Sequence, residues 1–306
     1  MTDLQVRRMK FDFETTEVPF IWNPQNPAFS FQMNATSMMI VGFEKMIVAA
    51  VREALPTITD PEAATEADAF LRQEAQHASA HRQHVRALTK RYPGLQHTFD
   101  EVIRTYDDLT ETTSLAFRLA YVADTEATFT PTFKLLLDNE ATLFRPGDDR
   151  VASLLLWHFV EEVEHRSSAL IIYDAAIGDS LYRFRVLPGI VKHLAQVLEI
   201  VADGVNAHVP LEERKVDART LMPGYRVRES LKGKSRFGKW ATAQSAPPAY
   251  YPVPWGQKIV ASARILMSQT PFHNPAHEPL PEFADRWFER YERGDDVCHW
   301  YSTEAG

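Results

Sequence analysis

The stretch 154–168, LLLWHFVEEVEHRSS, begins apolar and then sets two histidines and three glutamates within eight positions. Carboxylates and imidazoles are costly to bury unless something pairs with them. At about 100° per residue, His158 and His165 fall within about 60° of Glu162 on one helix face, together with Leu155. Ala169 and Tyr173 continue that face, Glu161 sits at its boundary, and Glu164 is expected to point to nearly the opposite side. The apolar stripe and the polar triplet coincide, so His158, Glu162 and His165 should look inward together. A second stretch, FLRQEAQHASAHRQH, does something similar: Glu74 and His77 share a face with Phe70 and Leu88, and His81 and His84 extend it. Both stretches contain Glu-x-x-His, a spacing that lets one carboxylate and one imidazole reach the same metal ion from a single helix.

An inward-facing two-metal site needs one more carboxylate from each of two further helices. Glu44 stands among Ile40, Ile47, Val48 and Val51, and Glu126 among Leu119, Val122, Phe129 and Phe133, each on an otherwise apolar stripe. The spacing repeats: Glu44 precedes Glu74 by 30 positions and Glu126 precedes Glu162 by 36. Each gap suits a helix, a turn and a return along a neighbour. The competing arrangement pairs these two carboxylates with cations such as Lys45 or Arg118. Taken together, the four glutamates and three histidines predict a binuclear metal site. Four carboxylates nearly balance two divalent cations, and mixed carboxylate and imidazole donors suit iron or manganese better than magnesium. Three imidazoles shift the balance toward two Fe ions, with Mn or a mixed Mn/Fe pair as the alternative. His81, Asp124 and Glu161 are candidates to hydrogen-bond a ligand and fix its orientation. His273 and His277 lie in a proline-broken loop without a useful partner.

The elements that must position these residues are helical. Residues 1–34 are rich in aromatics and proline and read as an extended arm packed on the body. From 35 to 208 the period is helical: one helix around Glu44, a second opened by Asp60-Pro61 and ending before 92–94, a third over roughly 100–141 with breaks, a fourth over about 149–177, and a fifth over about 180–208 that Pro188 could kink. Four long helices with short connections predict an all-α bundle. Residues 209–306 form a proline-rich extension with shorter helices at about 255–268 and 280–293, expected to wrap the bundle, to help dimerise it or to act as a lid. No apolar run is long enough to span a membrane, and the first residues lack the apolar core of a secretory signal. A net charge of −8 argues against nucleic acid as partner, and the basic patch 231–240 reads as a solvated loop. The single cysteine, Cys298, fits a reducing cytoplasm. A homodimer is the commonest expectation for the assembly.

The order Glu44, Glu74-x-x-His77, Glu126, Glu162-x-x-His165 resembles the ferritin-like di-iron carboxylate superfamily over about residues 35–175, which implies a four-helix bundle core. Within it, His158-x-x-x-Glu162-x-x-His165 looks like the p-aminobenzoate N-oxygenase type, which adds a third histidine one turn before the last glutamate. The aromatic arm and the EExEH helix also resemble bacterial proteins grouped as predicted metal-dependent hydrolases. The two resemblances agree on the site and differ on the chemistry.

The leading expectation is an oxidoreductase that activates O2 as co-substrate against a small organic molecule, with an external electron donor. Tyr173 could line the pocket or carry an electron. The first alternative is a hydrolase in which two metals lower the pKa of a bound water. The second is ferritin-like iron binding with no organic substrate.

Overall fold

The computed structural model describes residues 4–222, 247–270 and 273–302. The basic patch 231–240 lies outside the described residues. Among those described there are eleven α-helices, short 3-10 turns and no strand, so the chain is all-α.

Capping side chains set the helix starts. Asn26 accepts from Phe29 N (3.1 Å) and Pro27 supplies the first turn, so α1 spans Pro27–Ala54. It therefore begins inside the segment expected to be an extended arm, and only the residues before Asn26 are irregular. Asp60 accepts from Glu62 N (3.0 Å) at the head of α2 (Pro61–Arg91). The third helix, expected over roughly 100–141 with breaks, does break and starts earlier, at Leu95. Thr113 is extended and Ser114 caps a new start, giving α3 (Leu95–Thr112) and α4 (Leu115–Leu137), followed by the short α5 (Glu140–Leu143).

The fourth expected helix also divides, into α6 (Asp149–Glu164) and α7 (Ser168–Ala176). The chain turns at His165, whose carbonyl accepts from Ser168 N (2.8 Å). Next come α8 (Ser180–His208), which runs unbroken through Pro188, and the short α9 (Leu211–Arg214). Two further helices, α10 (Trp255–Ser268) and α11 (Glu282–Glu292), lie in the C-terminal segment.

The packing follows from which faces are apolar. α1 lies along α2 and α4, and α6 packs against α2 and α4, so these four helices surround one interior. Every residue of α6 from Val151 to Val163 is buried. α3 and α8 cover the outside of α1 and α4, and two glycines permit that approach. A Cβ on Gly42 would meet the Tyr106 ring at 2.5 Å, and one on Gly204 would meet Thr98 Oγ1 at 2.0 Å. The C-terminal segment lies on the bundle: α10 packs on α4 and α11 on α6. No helix among the described residues is long and apolar enough to cross a membrane.

Candidate metal centre

The four central helices bring all seven predicted donors into one interior. Glu44 comes from α1, Glu74 and His77 from α2, Glu126 from α4, His158 and Glu162 from α6, and His165 from its C-terminal cap. None is more than 3% exposed. Lys45 and Arg118, the cations that might have neutralised Glu44 and Glu126, pair instead with Asp107 (2.6 Å) and Glu53 (2.8 Å).

The donors form two groups that share Glu162. In one, single atoms of Glu44, His77, His158 and Glu162 all lie within 4.8 Å of one another; in the other, those of Glu74, Glu162 and His165 do. Glu162 Oε1 is 2.7 Å from His158 Nε2 and 3.6 Å from His77 Nδ1, while its Oε2 is 3.1 Å from His165 Nε2. Glu44 Oε1 lies 3.4 Å from His158 Nε2. Glu74 and Glu126 approach His165 Nε2 at 3.2 and 3.6 Å. One carboxylate thus turns an oxygen toward each group.

Each imidazole is held by its other nitrogen, so the ring is aimed before any ligand arrives. His77 Nε2 donates to Glu161 Oε2 (2.9 Å), and Glu161 Oε1 accepts from Arg7 Nη1 (2.9 Å). His165 Nδ1 donates to Gln73 Oε1 (3.2 Å), and the Gln73 amide donates to Glu164 Oε2 (2.8 Å) and Gln5 O (2.9 Å). His158 Nδ1 shares a hydrogen bond of 2.9 Å with His81 Nε2. The chain of contacts continues from His81 Nδ1 through Ser37 Oγ (2.9 Å) to His84 Nδ1 (3.0 Å). Rings close the remaining space: Trp157 stands edge-on to His77 and Phe70 to His165, both at 5.0 Å between centroids.

Burial and like charge act together on the titratable groups of this interior. Burial first, and then the neighbouring carboxylates, push Glu44, Glu74 and Glu126 above the ordinary carboxylate range. Burial acts the same way on Glu162, yet His165 and His158 hold it well below that range. Burial and the neighbouring His77 lower His158 to about 4. Burial opposes charge on His77 too, but its hydrogen bond to Glu161 and the nearby Glu74 carboxylate, 3.9 Å from Nδ1, raise it to about 9. Both oxygens of Glu74, one each of Glu44 and Glu126, and His77 Nδ1 are buried without a hydrogen-bond partner. Orphaned buried acceptors each cost about 1–3 kcal/mol. Cations placed among them would satisfy the orphans and offset the mutual repulsion, so the residues present fit a pair of metal ions.

The remaining expected residues divide. Glu161 and His81, both fully buried, contact His77 and His158. Asp124 pairs with Arg183 at 2.8 Å, and burial pushes its carboxyl up to about 7 against that pairing. Glu164 does not face away: it accepts from Arg7 (2.9 Å) and Gln73. The Tyr173 hydroxyl donates to Asp179 O (2.6 Å), because the break at residues 165–167 resets the helix phase on which its placement relied. Three residues were missed. Gln73 sits one turn before His77 on α2, which its spacing could have signalled, and Ser37 sits on α1 two turns before Glu44. Arg7, 154 positions from Glu161, left no local signal; its guanidinium lies over the Phe288 and Tyr291 rings of α11 at 5.0 and 5.3 Å.

The fold and this interior define a class: helical proteins with a buried carboxylate and histidine cluster suited to divalent metals. A family profile described as "Predicted metal-dependent hydrolase" matches residues 5–235, and the chain belongs to that family. No curated protein and no solved structure matches it.

Proposed function

We propose that the cluster holds two iron ions, or manganese in their place, and that the protein is an O2-dependent oxidoreductase acting on a small organic molecule. The donor set carries this reading. Three imidazoles and four carboxylates favour redox-active transition metals over magnesium or calcium. Glu162 offers one oxygen to each donor group, as a carboxylate shared by two ions would. The order of donors along four helices also supports kinship with ferritin-like carboxylate enzymes.

Two such ions, when bound, would supply electrons for the reduction of O2, with an external donor restoring them. The chain's own residues do the rest. With the ions bound, Glu44, Glu74, Glu126 and Glu162 would provide negative charge, and His77, His158 and His165 would provide neutral nitrogen donors. Arg7 with Glu161, Gln73 with Glu164, and His81 with Ser37 keep the three rings oriented. Trp157 and Phe70 exclude water from the imidazoles. The titratable groups touching the ligands are already committed to orienting them, which leaves none placed as a separate general acid or base. The lone cysteine suits a reducing, cytoplasmic setting.

Hydrolysis is the second reading, favoured by the family's description and by a polar cavity of about 970 Å³ that reaches Glu44 between α1 and α2, with Lys10, Arg82 and Arg86 at its walls. The two readings separate in one experiment. Protein loaded anaerobically with Fe(II) should consume O2 and develop a transient visible absorption. Cleavage of esters or phosphates at equal rates in air and under nitrogen, with no O2 consumption, would overturn the first reading in favour of the second.

A further inference from the structure

Beside the cluster, α4 presents Thr125, Thr128, Phe129, Thr132, Phe133 and Leu136, a single stripe at helical spacing. α1 opposes it with Met33, Thr36, Ile40 and Phe43. The two faces border a cavity of about 200 Å³. Its walls adjoin donors on three helices. Ile40 lies one turn before Glu44, Thr125 is next to Glu126, and Phe159 follows His158. The Phe133 ring stacks on Phe159 at 4.0 Å and lies 6.2 Å from the His158 ring.

Among the described residues, the lining contains no Asp, Glu, Lys, Arg or His. Its polar groups are mostly spent. The hydroxyls of Thr36, Thr128 and Thr132 donate to the carbonyls of Gln32 (3.0 Å), Thr125 (2.7 Å) and Thr128 (2.7 Å). Thr125 differs: it is only 9% exposed, and its Oγ1 is buried with no partner. Tyr250 also lines the cavity, and its hydroxyl accepts from the Gln32 amide. The Tyr250 segment is tied to the body by Asn26 Nδ2 donating to Ala249 O (2.7 Å).

We propose that this cavity is the substrate pocket and receives an uncharged, mainly apolar molecule, with the Thr125 hydroxyl bonding its one polar group. The proposal rests on the metal-centre reading for its role in catalysis. Size and lining set the ligand class. An apolar cavity of about 150 Å³ accepts benzene, so this one has room for a ring and a short substituent. A carboxylate or ammonium would be buried here without a counter-charge, which is strongly unfavourable.

The test uses benzyl alcohol, toluene and benzoate as probes, with binding followed by calorimetry on the protein as purified and again after chelation. Benzyl alcohol and toluene should each bind once per chain, and benzoate at least about 10-fold more weakly. Thr125→Val should weaken benzyl alcohol about 2- to 10-fold while leaving toluene unchanged, the loss of one hydrogen bond, and Thr125→Ser should restore it. Leu194→Trp, which fills the cavity from α8, should abolish binding of both. No saturable binding of either neutral probe, equal binding of benzoate, or an unaltered preference in Thr125→Val would overturn the proposal. Metal content measured on the same samples separates the two ideas: probe binding without metal uptake refutes the metal centre and keeps the pocket, whereas two metals without probe binding does the reverse.

Discussion

Replacing Glu162 by glutamine keeps the bulk of the side chain and removes its charge and one acceptor oxygen. The consequence depends on its position between the two donor groups. Its Oε1 lies 2.7 Å from His158 Nε2 and its Oε2 lies 3.1 Å from His165 Nε2. Even the loss of a hydrogen-bond partner behind a ligand costs about 10- to 100-fold in metal affinity. Loss of a donor common to both positions should therefore cost at least about 100-fold at each, or about 2.7 kcal/mol per ion. Glu126 reaches only the His165 group, at 3.6 Å, so Glu126→Gln should weaken one ion and leave the other bound. Anaerobic Fe(II) and Mn(II) titrations, with bound metal counted after dialysis, read the contrast directly. Wild type should retain two ions, Glu126→Gln one, and Glu162→Gln none. Thermal unfolding gives an independent reading, since each ion present at 100 times its Kd adds about 2.7 kcal/mol. Two ions held by Glu162→Gln at wild-type affinity would refute the shared role, as would identical stoichiometry in the two variants.

Arg7→Met strips the partner from the fully buried Glu161, and loss of a buried ion-pair partner costs about 3–5 kcal/mol. Urea unfolding of the variant within 1 kcal/mol of wild type would show that Arg7 is not the anchor. Burial lowers His84 to about 4, so the folded state favours its neutral form. Its contribution to stability is complete above the unfolded value of about 6.5 and is lost as pH falls toward 4, by about 3 kcal/mol at that end. His84→Gln should flatten the acid limb of stability against pH by that amount; an unchanged limb would place the acid sensitivity elsewhere. Gly204→Ala forces a methyl group into Thr98 and should lower stability by about 1–3 kcal/mol, measurable as a fall in Tm without loss of metal. An unchanged Tm would mean that α3 and α8 separate at no cost.

The convergence of the seven side chains was legible because it depends on local periodicity: a carboxylate on an apolar stripe, twice, and Glu-x-x-His, twice. The caps at Asp60 and Pro61 were equally plain. Asn26-Pro27 carries the same signal, but the proline and aromatic content around it masked the start of α1. Where the reading went astray, it extended one helix phase across a break. A helical wheel set on Glu162 puts Tyr173 on the ligand face, yet the turn at His165 to Ser167 separates α6 from α7. Glu164 was sent outward by the same wheel, which could not foresee Arg7 arriving from the N-terminal arm to meet it. The groups behind the ligands join distant parts of the chain, Ser37 with His81 and Arg7 with Glu161, and no spacing rule along one segment reports them. The apolar cavity is illegible for a related reason: its residues look like ordinary core until two helix faces are seen not to meet.

Anomalous X-ray scattering from crystals grown with ferrous or manganous salt is the most direct measurement of the central claim. Two peaks per chain are expected, one beside Glu44, His77 and His158, the other beside Glu74, Glu126 and His165, with Glu162 reaching both. A cluster free of metal under saturating salt, or a single ion that leaves Glu44 or Glu126 untouched, would contradict it.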